Sequence, residues 1–208
     1  MKPRIEQKLA ISNSEFPLFL EWISNQEGRI LYPERIICSR YFDNYSKECF
    51  SDTLDNIVPR RKVRIRTYNT RDFFESSSKY FLEIKQSLEN ARIKDSKEIS
   101  QLDELEGMCN SGIFDYKYGL CFPIVDISYV RSYFEVQNKR LTIDRDICYD
   151  SICKILSDEK KRVEEPEMVL EIKADFDFDS NELANIFEFP RTRFSKYERA
   201  IESLNIYR

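Results

Sequence analysis

The chain reads as an α+β protein, mainly antiparallel β, with short helices appended. Three observations predict this. Eight short stretches carry β-branched or aromatic residues at strand spacing. The helical stretches between them are few and short. The strands largely follow one another, which favours antiparallel neighbours and allows closure into a barrel. With 208 residues, 41% hydrophobic and 34% charged, the chain can build a proper core. Gly is scarce, at four residues, and no low-complexity linker or repeat interrupts the pattern. A single domain over 1–208 is expected.

In order, Arg4–Ile11 is a predicted strand, with Arg4, Glu6 and Lys8 on one face and Ile5 and Leu9 on the other. Ser14–Asn25 is a predicted helix with Phe16, Phe19, Leu20 and Ile23 on one stripe. Ile36–Phe42 is a strand and Ser46–Leu54 a short helix. Lys62–Tyr68, Lys79–Gln86 and Arg92–Ile99 are three further strands. Gln101–Cys109 is a helix with Ser100 as N-cap and Leu102, Leu105 and Met108 repeating along it. Strands Ile124–Glu135 and Arg140–Asp146 follow. Cys148–Pro166 reads as loop with some helix, and Met168–Asp175 as the last strand. Asn181–Phe189, begun by Ser180 and stopped by Pro190, is a helix. So is Lys196–Leu204, capped by Ser195, with Tyr197, Ala200, Ile201 and Leu204 apolar.

Composition narrows the chemistry. There is no histidine, so a histidine base is excluded. The six cysteines form no CxxC pair, which argues against zinc and leaves them as small core hydrophobes. The opening MKPRIEQKLAIS lacks an apolar core, and no run reaches the length of a membrane span. A soluble cytoplasmic protein with reduced thiols is expected. The net charge of -4 speaks against nucleic acid as a partner. Trp22 falls on an apolar helix stripe and reads as core or interface, and 158–167 as a solvated loop.

Against this acidic total, RRKVRIRTY at 60–68 places Arg60, Lys62, Arg64 and Arg66 at alternate positions, with Val63 and Ile65 between. Neighbouring cations on such a face lie only about 7 Å apart. The same parity gives Glu83 and Lys85 against Leu82 and Ile84. It gives Arg140, Thr142 and Asp144 against Leu141 and Ile143, and Glu171, Lys173 and Asp175 against Leu170 and Ile172. These are either the wet outer faces of half-buried strands, or faces turned into a barrel lumen with the apolar sides under helices. A cationic lumen suits a linear polyanion, because a guanidinium donates two parallel hydrogen bonds to phosphate. Carboxylates within it suit a hard divalent cation.

In order along the chain, RIEQKL (4–9), SRYFDN (39–44), RRKVRIRTY (60–68), FLEIK (81–85), YVRSYFE (129–135), KRLTIDRDI (139–147), VLEIKA (169–174) and RFSKYERAI (193–201) resemble the motifs of the VTC domain. This is the polyphosphate polymerase domain of vacuolar transporter chaperone type, within the triphosphate tunnel metalloenzymes (the CYTH-like superfamily). The resemblance implies an eight-stranded closed β-barrel tunnel with a charged lumen and helices packed outside. It implies ATP or another triphosphate bound with Mn²⁺ or Mg²⁺, and polyphosphate or pyrophosphate as acceptor. The phosphate-binding set it implies is Lys8, Arg64, Arg66, Lys85, Lys94, Arg131, Arg140 and Lys196, with Lys62 and Lys173 sharing the faces. It implies Glu171 as the principal metal ligand and Glu6 and Glu83 as support for metal or lysine. Residues 86–100 depart from the more basic segment of relatives.

Lys196 opens the last helix, where a cation opposes the macrodipole; it is either an ordinary solvated lysine or one aimed at bound phosphate. Three functions follow from the resemblance: a polyphosphate polymerase, a metal-dependent triphosphate hydrolase on the same scaffold, or a non-catalytic polyphosphate or nucleotide sensor. A membrane protein as receiver of product stays open.

Overall fold

The structure, a computed structural model, describes residues 4–75, 79–89, 91–152, 161–175 and 193–206, with backbone alone for 4–6 and 174–175. Ten strands are present among these residues: β1 (Arg4–Ser12), β2 (Arg29–Asp43), β3 (Arg60–Tyr68), β4 (Tyr80–Ser87), β5 (Arg92–Ile99), β6 (Ile113–Asp115), β7 (Gly119–Val136), β8 (Lys139–Ser151), β9 (Arg162–Glu164) and β10 (Glu167–Asp175). Four helices accompany them: α1 (Phe16–Asn25), α2 (Glu48–Leu54), α3 (Leu102–Ser111) and α4 (Lys196–Ser203). The expected helix Asn181–Phe189 lies outside the described residues.

The mainly antiparallel α+β class holds. The hydrogen-bonded order is β1-β10-β8-β7-β2-β3-β4-β5, with β6 on β7 and β9 on β8. The eight expected strands make up this path. Its ends, β1 and β5, do not pair with each other among the described residues, so backbone hydrogen bonds do not close the expected barrel.

Several boundaries differ from expectation. β2 begins seven residues before the expected Ile36, in an exposed stretch that includes Pro33. Proline there masks the strand signal, since it belongs only at edges or bulges. The segment 148–166 contains the end of β8 and the whole of β9, where Tyr149 pairs with Val163, rather than helix. Helix α3 starts one residue late. Its N-cap is Gln101, without a side-chain cap, and Asp103 and Glu104 supply negative charge to the first turn instead. Ser195 does cap α4, accepting from Glu198 N at 3.3 Å.

The chain divides into two compact units, each assembled from segments distant in sequence. The first comprises Met1–Arg35, Tyr129–Ile147 and Glu165–Phe194; the second comprises Ile36–Ser128, Cys148–Glu164 and Ser195–Arg208.

In the first unit, β10 pairs with β1 on one side and β8 on the other. Leu9, Leu170 and Ile143 stand in one row, and Gln7, Ile172 and Leu141 in another. Leu9, Ile11, Leu141, Ile143, Leu170 and Ile172 form one buried cluster with Phe19 and Ile23 of α1. This is why α1 carries an apolar stripe: it covers the greasy face of these strands. Phe16 and Trp22 pack at its rim, and Phe19 meets Phe134 edge to face at 5.9 Å. After α1 the chain turns at Gly28. A Cβ there would fall 2.6 Å from Ile23 Cγ2 and 2.8 Å from Val136 Cγ2, so only glycine fits without displacement.

In the second unit, β3 runs between β2 and β4, and β5 is the outer strand. Val63 and Ile65 are fully buried, and α2 lies against β3 and α4. Arg61 shares the parity of Val63 and Ile65. Its guanidinium is neutralised there by Asp115 at 2.7 Å and lies 3.9 Å from the Tyr116 ring centroid. All of β5 except Ile99 is exposed, and its charges suit a strand at the end of the order.

Truncating Leu170 to alanine is expected to cost about 2–5 kcal/mol, because the fully buried site cannot collapse around the cavity. Denaturant titration of the Leu170→Ala variant measures this directly.

Candidate functional site

In the second unit, antiparallel register sets cations side by side. Lys62 on β3 stands opposite Lys85 on β4, and Lys85 opposite Lys94 on β5. The next row is Tyr41, Arg64, Glu83 and Ser96, across β2 to β5. Arg66 stands opposite Ser39. Directly opposed residues share a face with Cβ atoms about 5 Å apart, and like charges so placed repel. This face is not simply wet: Arg66 is 7% exposed and Glu83 2%.

Glu83 organises the face. Its Oε2 takes Arg64 Nε at 2.8 Å and Arg64 Nη2 at 2.6 Å, with Arg66 Nη1 at 3.6 Å. Its Oε1 takes the Lys94 ammonium. Burial alone would raise the pKa of this carboxyl. The charges of Arg64 and Arg66, with the bond from Lys94, bring it down to about 2. The guanidinium of Arg64 also donates from Nη1 to Tyr41 Oη at 2.7 Å, and Arg66 Nε donates to Ser39 Oγ at 3.0 Å.

The start of α4 joins the same group. Lys62 Nζ donates to Ser195 Oγ at 2.9 Å and lies 5.7 Å from the Tyr197 ring. The Tyr197 ring stacks on Tyr41 at 5.2 Å, and its hydroxyl donates to Asp43 Oδ2 at 2.6 Å. Asp43 in turn accepts from the backbone N–H groups of Cys49 and Phe50 at the start of α2. Lys196 is adjacent to Ser195, and its charge helps to lower the Tyr41 pKa against the opposing effect of burial.

The first unit has its own charged face. One row is Lys8, Glu171 and Thr142; the next is Glu6, Lys173 and Arg140. Glu171 is 7% exposed and pairs with Lys173 at 3.0 Å. Lys8 Nζ donates to the Phe194 carbonyl at 3.4 Å. Arg140 lies 5.3 Å from the Tyr133 ring. Arg131 grips Asp144 with both arms, Nε to Oδ1 at 2.5 Å and Nη2 to Oδ2 at 2.7 Å. Burial works against the Arg131 charge, but Asp144 and Glu171 hold its pKa well above the ordinary value.

The sequence-derived candidates thus fall into two groups. Lys62, Arg64, Arg66, Glu83, Lys85, Lys94 and Lys196 belong to one unit; Glu6, Lys8, Arg131, Arg140, Glu171 and Lys173 belong to the other. Tyr41, Ser39 and Ser195 join the first group without having been expected there. Period-two parity along SRYFD could have found Ser39 and Tyr41, whereas Ser195 carried only its capping signal.

Among the described residues, no three His, Cys, Asp or Glu side chains cluster to hold a metal. Glu171 nevertheless faces a buried Thr142 Oγ1 that has no hydrogen-bond partner. Two oxygen donors of this kind fit a hard cation that takes its remaining ligands from water and phosphate.

Glu83→Gln removes the carboxylate that neutralises Arg64, Arg66 and Lys94, and is expected to destabilise the protein by about 3 kcal/mol at neutral pH. The folded-state pKa of Glu83 is depressed, so its contribution is present above the ordinary value of 4.5 and fades as pH falls toward about 2. Denaturation of wild type and variant across that window is expected to converge at its acid end.

The VTC domain family profile matches residues 3–205. No curated protein matches the chain. Among solved structures, a candidate adenylate cyclase from Vibrio parahaemolyticus aligns with TM-score 0.54 and 15% identity, over 97% of this chain and 98% of that one. A candidate adenylate cyclase from Bacillus halodurans aligns with TM-score 0.52 and 14% identity, over 99% and 91%. A Pyrococcus horikoshii protein aligns with TM-score 0.50 and 12% identity, over 88% and 85%. At these identities the likeness is one of fold alone. The match along nearly the whole chain, over the strands that carry both charged faces, decides the assignment: the chain belongs to the VTC domain family.

Proposed function

We propose that this protein is a phosphotransferase that passes the γ-phosphate of ATP to a phosphate chain. The observation that carries the reading is the in-register row Lys62, Lys85 and Lys94 beside Arg64 and Arg66. Opposed like charges cost stability, and a polyanionic ligand converts that cost into binding. Family membership supports an enzyme acting on triphosphates.

Phosphoryl transfer asks a protein for positioning and charge neutralisation rather than a covalent nucleophile, which suits a chain without histidine. A terminal oxygen of the acceptor chain attacks the γ-phosphorus, the bond to the β–γ bridging oxygen breaks, and ADP leaves. The acceptor oxygen is already ionised, so no base is required. Arg64, Arg66, Lys62, Lys85, Lys94 and Lys196 are assigned to phosphate oxygens, as are Lys8, Arg131, Arg140 and Lys173. Glu83, with both oxygens engaged by cations, is assigned to orienting them rather than to metal. Glu171, supported by Glu6, is assigned to Mn²⁺ or Mg²⁺, which when bound neutralises charge on the phosphates. The cytoplasm, where thiols stay reduced, is its place in this reading. Among the described residues no helix is long and apolar enough to cross a membrane.

Purified protein given ATP, Mn²⁺ and a pyrophosphate primer is expected to make long phosphate chains. Release of ADP and orthophosphate alone would identify a hydrolase, in which water replaces the acceptor. Tight, salt-sensitive binding without turnover would identify a sensor.

Arg64→Ala and Arg66→Ala are each expected to weaken ATP affinity about tenfold or more, from the loss of charge-assisted bonds. Wild-type affinity in both variants, measured by calorimetry on folded protein, would reduce the cationic row to a surface feature.

A further inference from the structure

The hydroxyl of Tyr41 stands among cations. It accepts from Arg64 Nη1 at 2.7 Å, and Tyr41 stands directly opposite Arg64, with Ser39 and Arg66 as the neighbouring pair. A phenol both accepts and donates one hydrogen bond, whereas guanidinium and ammonium groups only donate. Among the described residues no group accepts the Tyr41 proton. The charges of Arg64, Arg66 and Lys196 favour the ionised form, and burial opposes it; the balance places the pKa below the ordinary tyrosine value.

The ring is held so that this hydroxyl stays in place. Tyr41 is 7% exposed and stacks on Tyr197 with planes 17° apart. Tyr197 is anchored by its bond to Asp43, two residues along the same strand, and Asp43 is fixed by three backbone N–H groups, from Asn44, Cys49 and Phe50. A hydroxyl fixed in this way pays little ordering cost when a ligand arrives.

We propose that Tyr41 is a phosphate-binding residue, its hydroxyl accepting from Arg64 while donating to a non-bridging oxygen of a bound triphosphate. This rests on the reading of the cationic face given above and adds a neutral donor to it. A phosphate oxygen near neutral pH is an acceptor, and it is the partner that the Tyr41 proton lacks. Phenylalanine would keep the stack on Tyr197 and lose the hydroxyl, and with it both this bond and the one accepted from Arg64.

Calorimetry with inorganic triphosphate on wild type, Tyr41→Phe and Arg64→Ala tests the proposal. Tyr41→Phe is expected to bind about tenfold more weakly, the worth of one hydrogen bond to a charged acceptor, while staying folded with a melting temperature lowered by no more than the lost Arg64 bond accounts for. A second readout is tyrosinate absorption in the near ultraviolet. Triphosphate is expected to move one ionisation to higher pH in wild type, and that change is expected to be missing in Tyr41→Phe. Binding lost in Arg64→Ala but unchanged in Tyr41→Phe would overturn the role of Tyr41 and leave the cationic site standing. No binding by wild type would overturn both.

Discussion

The carboxylate of Glu83 receives Arg64, Arg66 and Lys94, and the geometry of the second unit's charged face depends on that convergence. Without it, alternate cations on β3 would confront those of β4 and β5 across a few ångströms of low-dielectric space. Glu83 is charged because its neighbours are, and they hold their rotamers because it is charged. Arg64 passes this order on to Tyr41, and from Tyr41 it continues through Tyr197 to Asp43 and the first turn of α2. The charged face and the packing of two helices are therefore joined by one chain of hydrogen bonds and a ring stack.

The first unit solves the same electrostatic problem differently. There Arg131 pairs with Asp144 and Lys173 with Glu171, with no single carboxylate among the described residues drawing three cations together as Glu83 does. Arg131 and Asp144 are a buried bidentate pair, worth little as net stability but demanding in geometry. Below them the apolar side of the same strands is sealed by α1. Charged and greasy faces thus lie back to back on β1, β8 and β10, the greasy one buried and the charged one buried at Glu171, Thr142 and Asp144 but open at Arg140. A solvated outer face would not bury Glu171 and Asp144 to this degree.

Much of this was legible in the sequence because strand parity is a local property. Residues 60–68 and 167–173 state which side chains share a face, and the structure keeps those faces. Ser195 announced the start of α4 through its capping chemistry. Other features left weaker traces. Residues 148–166 read as loop because β9 has three residues and takes its strand identity from pairing with β8. Pro33 hid the start of β2. Arg61 lies outside the cationic row by parity, among buried apolar residues, and only the fold supplies the Asp115 that makes it tolerable there.

Taken alone, the sequence determined strand parity, the capping of α4, the absence of histidine chemistry and the family motifs, because each depends on residue type and short spacing. Tertiary structure decided which rows meet: Lys62 with Lys85 and Lys94, Arg64 with Tyr41 and Glu83, Glu171 with Thr142. Register is set by long-range pairing, and a slip of one residue turns every side chain to the other face. The identity of each charge's neighbour therefore belongs to the folded chain.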